Sequence, residues 1–461
     1  MPVDNPSGDR SRGGPAQRGQ RLHFNLFFPF APDYVWSQQP RADIYYDFDA
    51  LTHLVRSAER GLFSAVFFGE SLRLREHLGV LTTDAITGRP DALVLFAHLA
   101  ARTDHIGLVA TLNTTYFEPY DLARRIATLD VLSGGRAGWN IVTTDSAWTG
   151  ANFRKGGYLP HSERYTHATE HVDVVQALWD AWPESTPQSP VQAVEWFDTH
   201  YRITARPEWP RSPQGQPVFF QAGESDEGRD FAARYAEGIF SRYLDFDAAL
   251  DYATDLGRRL VKAGRPADDL RIFPATSIVL GDTPSDARER HDWFRGQVWT
   301  DRRTRAVVEK VWGRDLSDLD LDGPLPDEPP TIVKQSRSHG VMNSRDRPQH
   351  IAQQWRELSR ERGFTVRQLV RHLAPGAGFV GTPAAVADRL AEYVHAGAID
   401  GLNLTPTAFP DGLDEIVDRL IPELQDRGIY PTEYAGTTLR ENLGLAPNVV
   451  RRTDRDRKFA V

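Results

Sequence analysis

Short apolar runs alternate with amphipathic segments along most of the chain, which is the pattern of strand–helix units that build a parallel sheet. The apolar runs lie at residues 22–28, 63–69, 105–111, 136–142, 217–223, 237–243, 270–280 and 400–406. Amphipathic segments lie at about 46–60, 118–132, 162–182, 226–236, 246–263 and 412–425, and a further helix begins at Arg89-Pro90-Asp91. Eight strands, mostly each followed by a helix, predict an α/β fold that closes as a (β/α)8 TIM barrel. An open doubly wound sheet, which usually stops at about five to seven strands, is the alternative.

Two stretches interrupt the alternation and are predicted to be insertions. Residues 183–216 are rich in Pro, Ser and Gln, and we expect an inserted loop or hairpin there. Residues 288–375 combine a helical segment, an acidic proline-rich stretch and a polar run, and we expect a lid, because long irregular stretches inside compact domains are usually functional. Residues 1–20 read as a disordered lead-in and 446–461 as a charged tail, which leaves 21–445 as one barrel domain.

Composition narrows the possible functions. The 461 residues carry 54 basic and 63 acidic side chains, and the net charge of −9 argues against nucleic-acid binding through phosphates. The absence of cysteine excludes disulfides, Cys-ligated zinc, iron–sulfur clusters and thiol nucleophiles. The 14 histidines show no metal-ligand spacing, so no metal site is expected. No apolar run reaches about 18 residues and no signal peptide is recognisable, so we expect a cytoplasmic protein without a membrane partner.

Two short motifs match known patterns in the wrong context. Residues 376–381 read GAGFVG, but a helix is predicted before them instead of the strand that a dinucleotide site needs, and Thr382-Pro383 begins another helix. Residues 223–228 read GESDEG, which has one residue too many for a nucleophile elbow. A hydrolase with Ser225 as nucleophile and His161 as base remains an alternative, as does a non-catalytic ligand-binding barrel.

The active site of a (β/α)8 barrel lies at the carboxyl ends of its strands. Here those ends offer hydroxyls, amides and aromatic rings without an acid–base pair, which suits a large cofactor that performs the chemistry itself. The turn Gly223-Glu224-Ser225-Asp226 precedes a predicted helix, whose first N–H groups could bind a phosphate. An ordinary N-cap at Ser225 explains the same residues equally well.

Several long blocks resemble one family. They are LFSAVFFGESL, HIGLVATLNTTYFEPYDLARRIATLDVLSGGRAGWNIVTT, GYLPHSERYTHATEHVDVVQALWDAW, FFQAGESDEGRDFAARYAEGIF and FVGTPAAVADRLAEYVHAGAIDGLNL. The chain is similar to the bacterial-luciferase-like superfamily of flavin-dependent monooxygenases. More narrowly, it resembles the branch of nitrilotriacetate monooxygenase component A, dibenzothiophene-sulfone monooxygenase and the large subunit of pristinamycin IIA synthase.

The resemblance implies a TIM barrel that binds FMN as FMNH2, which a separate NAD(P)H:flavin reductase supplies. It also implies that O2 adds to the flavin at C4a and that the resulting peroxyflavin oxygenates a small organic substrate in a cavity that excludes water. Relatives are commonly homo-oligomers. An F420-dependent oxidoreductase, which would transfer hydride without using oxygen, is the alternative within the superfamily.

The resemblance also implies roles for individual residues. Asn140 and Thr144 match the motif that meets the flavin ring, Glu70 stands beside the ring, and Thr111 ends the third strand. His161 and Tyr165 belong to the block near the ribityl–phosphate side, although Tyr165 could be core packing and His161 could orient its helix. The phosphate turn comprises Gly223, Glu224, Ser225 and Asp226, and the catalytic candidates are Asn140 and His161.

This sequence departs from the family pattern at the phosphate turn and on the substrate side. Glu224 replaces a serine of the relatives, and because like charges repel, either its carboxylate points away from a phosphate or the affinity for FMN is lowered. The usual pair of histidines before Trp36 is missing. The aromatic residues at the end of the first strand suggest an apolar substrate, with aromatic or halogenated compounds as candidates, and we expect it to contact Phe28, Tyr34, Trp36 and His339.

Overall fold

Eight parallel strands form a closed barrel in the computed structural model of the chain. The structure describes residues 21–28, 36–37, 44–69, 72–73, 76–77, 80–81, 89–143, 147–153, 159, 161–182, 191–331, 348–374 and 376–446. The barrel strands are β1 (His23–Phe28), β2 (Ala65–Phe68), β3 (Gly107–Asn113), β4 (Ala137–Val142), β5 (Val218–Gln221), β6 (Gly238–Ser241), β7 (Arg271–Thr276) and β8 (Gly401–Leu404). Pairing of β8 with β1 closes the ring. The predicted (β/α)8 barrel is confirmed, and the open sheet is excluded.

Helices lie at the places where the sequence predicts them, and others, among them Ala147–Gly150 and Leu439–Asn442, are not predicted. They are α1 (Phe48–Arg60), α2 (Ala92–Ala100), α3 (Pro119–Leu132), α4 (Ala147–Gly150), α5 (His161–Trp179), α6 (Asp226–Tyr235), α7 (Phe246–Lys262), α8 (Pro284–Val298), α9 (Asp301–Trp312), α10 (Pro348–Arg362), α11 (Val366–Leu373), α12 (Pro383–His395), α13 (Ile421–Asp426) and α14 (Leu439–Asn442). A 3₁₀ turn spans Ile44–Tyr46, and a π-helix spans Ile416–Leu420 before α13. Capping residues determine where individual helices begin. The Asp91 side chain accepts hydrogen bonds from the first turn of α2, and Thr382 caps α12.

Within the described residues, four short strand pairs lie outside the barrel. Trp36–Ser37 pairs with Ala408–Phe409, and Glu76–His77 pairs with Val80–Leu81. Val194–Phe197 and Arg202–Ala205 form an antiparallel pair, which we call the inserted hairpin (residues 194–205). Ile278–Leu280 pairs with Phe379–Gly381.

The predicted single strand over residues 270–280 is wrong, because the chain leaves the barrel after Thr276. The backbone N–H of Gly378 donates to the Ser277 carbonyl at 3.1 Å and to the Thr276 hydroxyl at 3.0 Å. These bonds direct residues 278–280 to the neighbouring strand 379–381. The glycine-rich stretch 376–381 is thereby used in strand pairing, and helix α11 precedes it as predicted.

At the amino ends of the barrel strands, the barrel interior is filled by aromatic rings that pack against glycine residues. A Cβ at Gly238 would lie 2.4 Å from the Phe220 ring, and a Cβ at Gly401 would lie 2.7 Å from the Phe273 ring. Leu439 of α14 belongs to the same buried cluster as both rings. Glycine is needed at these two positions because the rings occupy the space of a side chain. This end is therefore sealed by packing.

Three phenyl rings fill the interior nearer the carboxyl ends of the strands. The Phe27 ring centroid lies 5.8 Å from that of Phe67 and 5.4 Å from that of Phe240, and the last two are 5.9 Å apart. The three rings, which we call the phenyl floor, come from β1, β2 and β6. They form an apolar surface beneath any molecule that binds at the carboxyl ends of the strands.

Helices α8 to α11 carry an apolar cluster of their own. Its buried members are Val298, Trp299, Val308, Val311, Trp312, Leu321, Leu325, Ala352, Val366, Leu369 and Val370. This cluster falls within residues 288–375, the segment expected to be a lid. Among the residues described, none of the helices is both long enough and apolar enough to span a membrane.

His23 at the start of β1 makes folding sensitive to acid. Burial and the neighbouring Arg271 charge lower its pKa from 6.5 to about 4. Between these values the unfolded chain takes up a proton that the folded chain does not, so stability from this group is complete above pH 6.5 and is lost as the pH falls towards 4. We expect His23→Gln to flatten the dependence of the unfolding midpoint on pH in this window.

Urea titrations at several pH values measure this effect. The matched control is His372→Gln, because His372 lies exposed on α11. A His23→Gln variant with the same pH slope as the unmodified chain would contradict the assignment.

Candidate functional site

Asn140 on β4 and Thr111 on β3 meet inside the barrel. They are register partners on adjacent strands, and the Asn140 Nδ2 donates to Thr111 Oγ1 at 2.9 Å. Both are buried, with exposed fractions of 3% and 5%. Among the described residues, Asn140 Oδ1 has no hydrogen-bond partner. A buried acceptor without a donor costs about 1–3 kcal/mol, so this oxygen marks a place where a bound group can donate.

Neighbouring residues hold Asn140 in this orientation. Trp139 points to the opposite side of β4, where its ring packs against those of Trp179 and Phe219, at centroid distances of 6.4 and 5.7 Å. Its indole N–H donates to the Leu112 carbonyl at 3.1 Å. Because side chains alternate along a strand, anchoring Trp139 outward directs Asn140 inward.

The turn at residues 223–226 leads directly into α6. Ser225 is the N-cap, and its Oγ accepts from the Gly228 N–H at 3.2 Å. The Gly223 N–H donates to Gln221 Oε1 at 2.5 Å. The N-cap interpretation of Ser225 is therefore confirmed, whereas phosphate binding stays a prediction. The hydroxyl oxygen of Ser225 serves the helix start, which does not support the hydrolase alternative.

Gly223, Gly228 and Tyr165 pack closely at the start of α6. A Cβ at Gly228 would lie 2.8 Å from the Tyr165 hydroxyl and 2.9 Å from the Gly223 Cα. The Tyr165 ring also packs against Phe231 at 5.8 Å. The structure thus brings Tyr165 and the predicted phosphate turn together, although they are far apart in the sequence.

The Glu224 carboxylate is bound by Arg242, the residue that follows β6. Its Oε1 accepts from the Arg242 N–H at 3.1 Å, and its Oε2 lies 2.5 Å from Arg242 Nε. Arg229 is held by the Glu224 carbonyl and by Asp255. Burial alone would raise the pKa of Asp255, but hydrogen bonds from Arg229 and Arg259 hold it below its usual value. The Arg229 charge is therefore neutralised within the protein.

Several other predicted site residues lie outside the described residues or are described by their backbone alone. Glu70, Tyr34, Thr144 and His339 lie outside the described residues. For His161 and Trp36 the backbone alone is described, with His161 as the first residue of α5 and Trp36 paired with Ala408 beyond the end of β8. Asp226, the first residue of α6, forms an ion pair with Arg259 at 2.6 Å.

Phe28, which is predicted to contact substrate, is a buried residue of β1. Its ring is buried in the main hydrophobic core, 5.1 Å from the Phe68 ring and 5.2 Å from the Tyr45 ring. Strand alternation sends Phe28 outward to the helices and its neighbour Phe27 inward to the phenyl floor.

Sequence reasoning missed two further amides inside the barrel. Asn25 on β1 and Asn403 on β8 are register partners with exposed fractions of 0% and 1%. A polar residue inside an apolar run, as in HFNLFF and GLNL, is the signal that could have found them. Neither side chain has a hydrogen-bond partner within the described part of the chain.

Comparison with known proteins agrees with this architecture. The family model described as luciferase-like monooxygenase matches residues 22–399. The nitrilotriacetate monooxygenase component A of Aminobacter aminovorans is 33% identical over 87% of this chain and 90% of that protein. The dibenzothiophene-sulfone monooxygenase of Rhodococcus erythropolis is 34% identical over 85% of this chain and 89% of that protein.

A solved structure adds a flavin to the comparison. The riboflavin lyase solved with modified FMN and its substrate riboflavin has a TM-score of 0.70 and 27% identity, and the match covers 93% of this chain and 96% of that one.

Proposed function

Because the chain belongs to the luciferase-like monooxygenase family and is a flavin-dependent monooxygenase, we propose that it uses FMN in its reduced form, FMNH2, together with O2. The reaction inserts one oxygen atom into a small apolar organic molecule. The observation that carries this proposal is the buried Asn140–Thr111 pair in the carboxyl-terminal halves of β4 and β3.

The residues at the strand ends fit a reduced flavin. Asn140 Oδ1 lacks a donor among the described residues, and the reduced isoalloxazine ring carries N–H groups that can donate to it. The phenyl floor offers an apolar face beneath a flat aromatic ring. Thr144 and Glu70 are proposed to contact the same ring.

The turn at the start of α6 fits the phosphate end of FMN. Its glycines allow close backbone approach, and the helix N-terminus is favourable for an anion. The Glu224 carboxylate is held by Arg242 and does not oppose a phosphate. We propose that Gly223, Ser225 and the backbone at Asp226 hold the phosphate, with Tyr165 and His161 beside it.

When bound, the reduced flavin supplies the electrons that activate O2. Asn140 and Thr111 orient the ring, and their burial keeps that wall of the site free of water. The phenyl floor excludes water from below. His161, which begins α5, is proposed to hold or move a proton beside the site.

We propose a separate NAD(P)H:flavin reductase as the partner that delivers FMNH2. One relative is named component A, which indicates a multicomponent system in that protein. A homo-oligomer is also proposed, and the exposed side chains of Val94 on α2 and Phe48 on α1 are apolar surface that association could cover.

The substrate class rests on the lining of the site. The named relatives act on nitrilotriacetate and on dibenzothiophene sulfone, which differ so much in polarity that neither name can be transferred. The phenyl floor and the aromatic residues Tyr34 and Trp36 favour an apolar substrate, with aromatic or halogenated compounds first, and His339 is proposed to contact it.

The direct test is a reconstituted assay. The chain is mixed with FMN, NADH, an unrelated flavin reductase and candidate apolar substrates under ¹⁸O2. We expect a product that carries one ¹⁸O atom and requires both flavin and oxygen. Product formed anaerobically with reduced F420 would contradict the proposal, and turnover without flavin would indicate a hydrolase.

We expect Ser225→Ala to weaken binding of FMN about fivefold, since a cap and one phosphate contact are lost together. Quenching of FMN fluorescence measures the dissociation constant. Thr300→Ala, which removes the equivalent N-cap of α9, is the control and should lower stability without changing the affinity for FMN. Unchanged affinity in Ser225→Ala would contradict the phosphate assignment.

A further inference from the structure

A buried hydrogen-bonded network joins α5 to the inserted hairpin. The Tyr201 hydroxyl lies 3.0 Å from His171 Nδ1 and 2.9 Å from His167 Nε2. A hydroxyl can donate to one ring nitrogen and accept from the other, so this single oxygen links two residues one turn apart on α5. Burial raises the pKa of Tyr201, which keeps its proton in place for these bonds.

Glu170 is the second element of the network. Its carboxylate accepts from the backbone N–H groups of His200 and Tyr201 at 3.0 and 3.2 Å, and from the Trp196 indole at 3.2 Å. The His200 ring nitrogen Nδ1 lies 2.7 Å from it. Glu170 is 7% exposed, so one buried side chain of α5 satisfies four donors of the hairpin.

The opposite side of α5 contacts α6. Asp173 accepts from the Tyr235 hydroxyl at 2.6 Å and pairs with Arg234 at 3.2 Å. Tyr165 packs on Phe231 and approaches Gly228 at the start of α6. At 3.6 residues per turn, Tyr165 lies on the face of α5 opposite to His167, Glu170 and His171, and Asp173, three residues after Glu170, lies between these two faces. Helix α5 is therefore held between the hairpin and the predicted phosphate turn.

We infer that Tyr201 and Glu170 are positioning residues, which set the rotation of α5 and thereby place Tyr165 at the phosphate end of the flavin. This inference rests on the proposed function. On this inference the inserted hairpin supports the flavin site indirectly. Its network contacts the face of α5 that is turned away from the predicted phosphate turn. Loss of the network would let α5 shift within its packing, and small displacements of a positioned group lower affinity strongly.

Tyr201→Phe tests the inference, because it keeps the ring and removes only the hydroxyl. We expect the dissociation constant of FMN and the KM for FMNH2 to rise about fivefold, while kcat stays within twofold. Tyr430→Phe is the matched control. It removes a buried hydroxyl that donates to the carbonyls of Gly61 and Leu62, near the amino end of β2. The control should lower the melting temperature by a similar amount and leave the dissociation constant unchanged.

Glu170→Gln provides a second variant that keeps the shape of the side chain. It should raise the same dissociation constant, because an uncharged amide satisfies the four donors less well. If both variants bind FMN as tightly as the unmodified chain, the inference is overturned and the proposed function stands. If the unmodified chain binds no FMN, the proposed function and the inference both fall.

Discussion

Asn140→Val is expected to lower the rate of product formation about 100-fold, the typical effect of removing one preorganised polar group from an active site. Valine keeps the volume of the buried position but removes the Oδ1 acceptor and the donor to Thr111. The affinity for FMN should change much less, because the phosphate end keeps its contacts. Stopped-flow oxidation of FMNH2 together with product quantification measures both the rate and the fraction of reduced flavin that yields product.

Variants at Thr111 separate chemistry from packing. Thr111→Ser keeps the hydroxyl that accepts from Asn140 and should retain most activity, whereas Thr111→Val should resemble Asn140→Val. If Asn140→Val oxygenates substrate at the original rate, the central role of this pair is refuted. If it fails to fold, Thr111→Val still tests the same hydrogen bond.

Gly228→Ala is expected to weaken FMN binding at least about tenfold, since a displacement near 1 Å can cost this much or more. The added Cβ would lie 2.8 Å from the Tyr165 hydroxyl and 2.9 Å from the Gly223 Cα. The second contact is with backbone, so the turn itself must move. Fluorescence titration with FMN and a thermal melt of the same sample report the two consequences.

Gly257→Ala on α7 is the matched control for this substitution. A Cβ there would have its nearest neighbours at 3.5 and 3.8 Å, which is ordinary contact. Alanine is favoured over glycine inside helices by about 0.5–1 kcal/mol, so this variant should melt at the same or a slightly higher temperature. FMN affinity that stays unchanged in both variants would show that the turn does not hold the cofactor.

The family and the fold could be predicted from the sequence because both depend on local or ordered features. The apolar runs at 63–69 and 136–142 each contain a barrel strand, since runs bounded by turn residues and separated by amphipathic helices leave few other arrangements. Asp91, Ser225 and Thr382 each cap the predicted helix, because a cap acts within three residues of itself.

The site could be predicted only in part. Phe27 and Phe28 are the same type of residue with the same strand propensity. Closure of the barrel decided that Phe27 faces inward. The sequence singled out Glu224 as a negative charge beside the predicted phosphate. Its partner Arg242 follows the neighbouring strand β6, and only the folded structure shows their contact.

The amino-acid sequence by itself determined the eight strand–helix units and the helix starts, because these depend on periodicity and on contacts between near neighbours. It also determined the family, because long, ordered blocks of the sequence resemble one family. Tertiary structure alone decided that Asn140 bonds to Thr111, that Tyr165 meets Gly228, and that Tyr201 joins two histidines of α5. These pairs are about 30 or more residues apart in the chain. Strand register and helix packing bring them together, and neither can be read from one segment at a time.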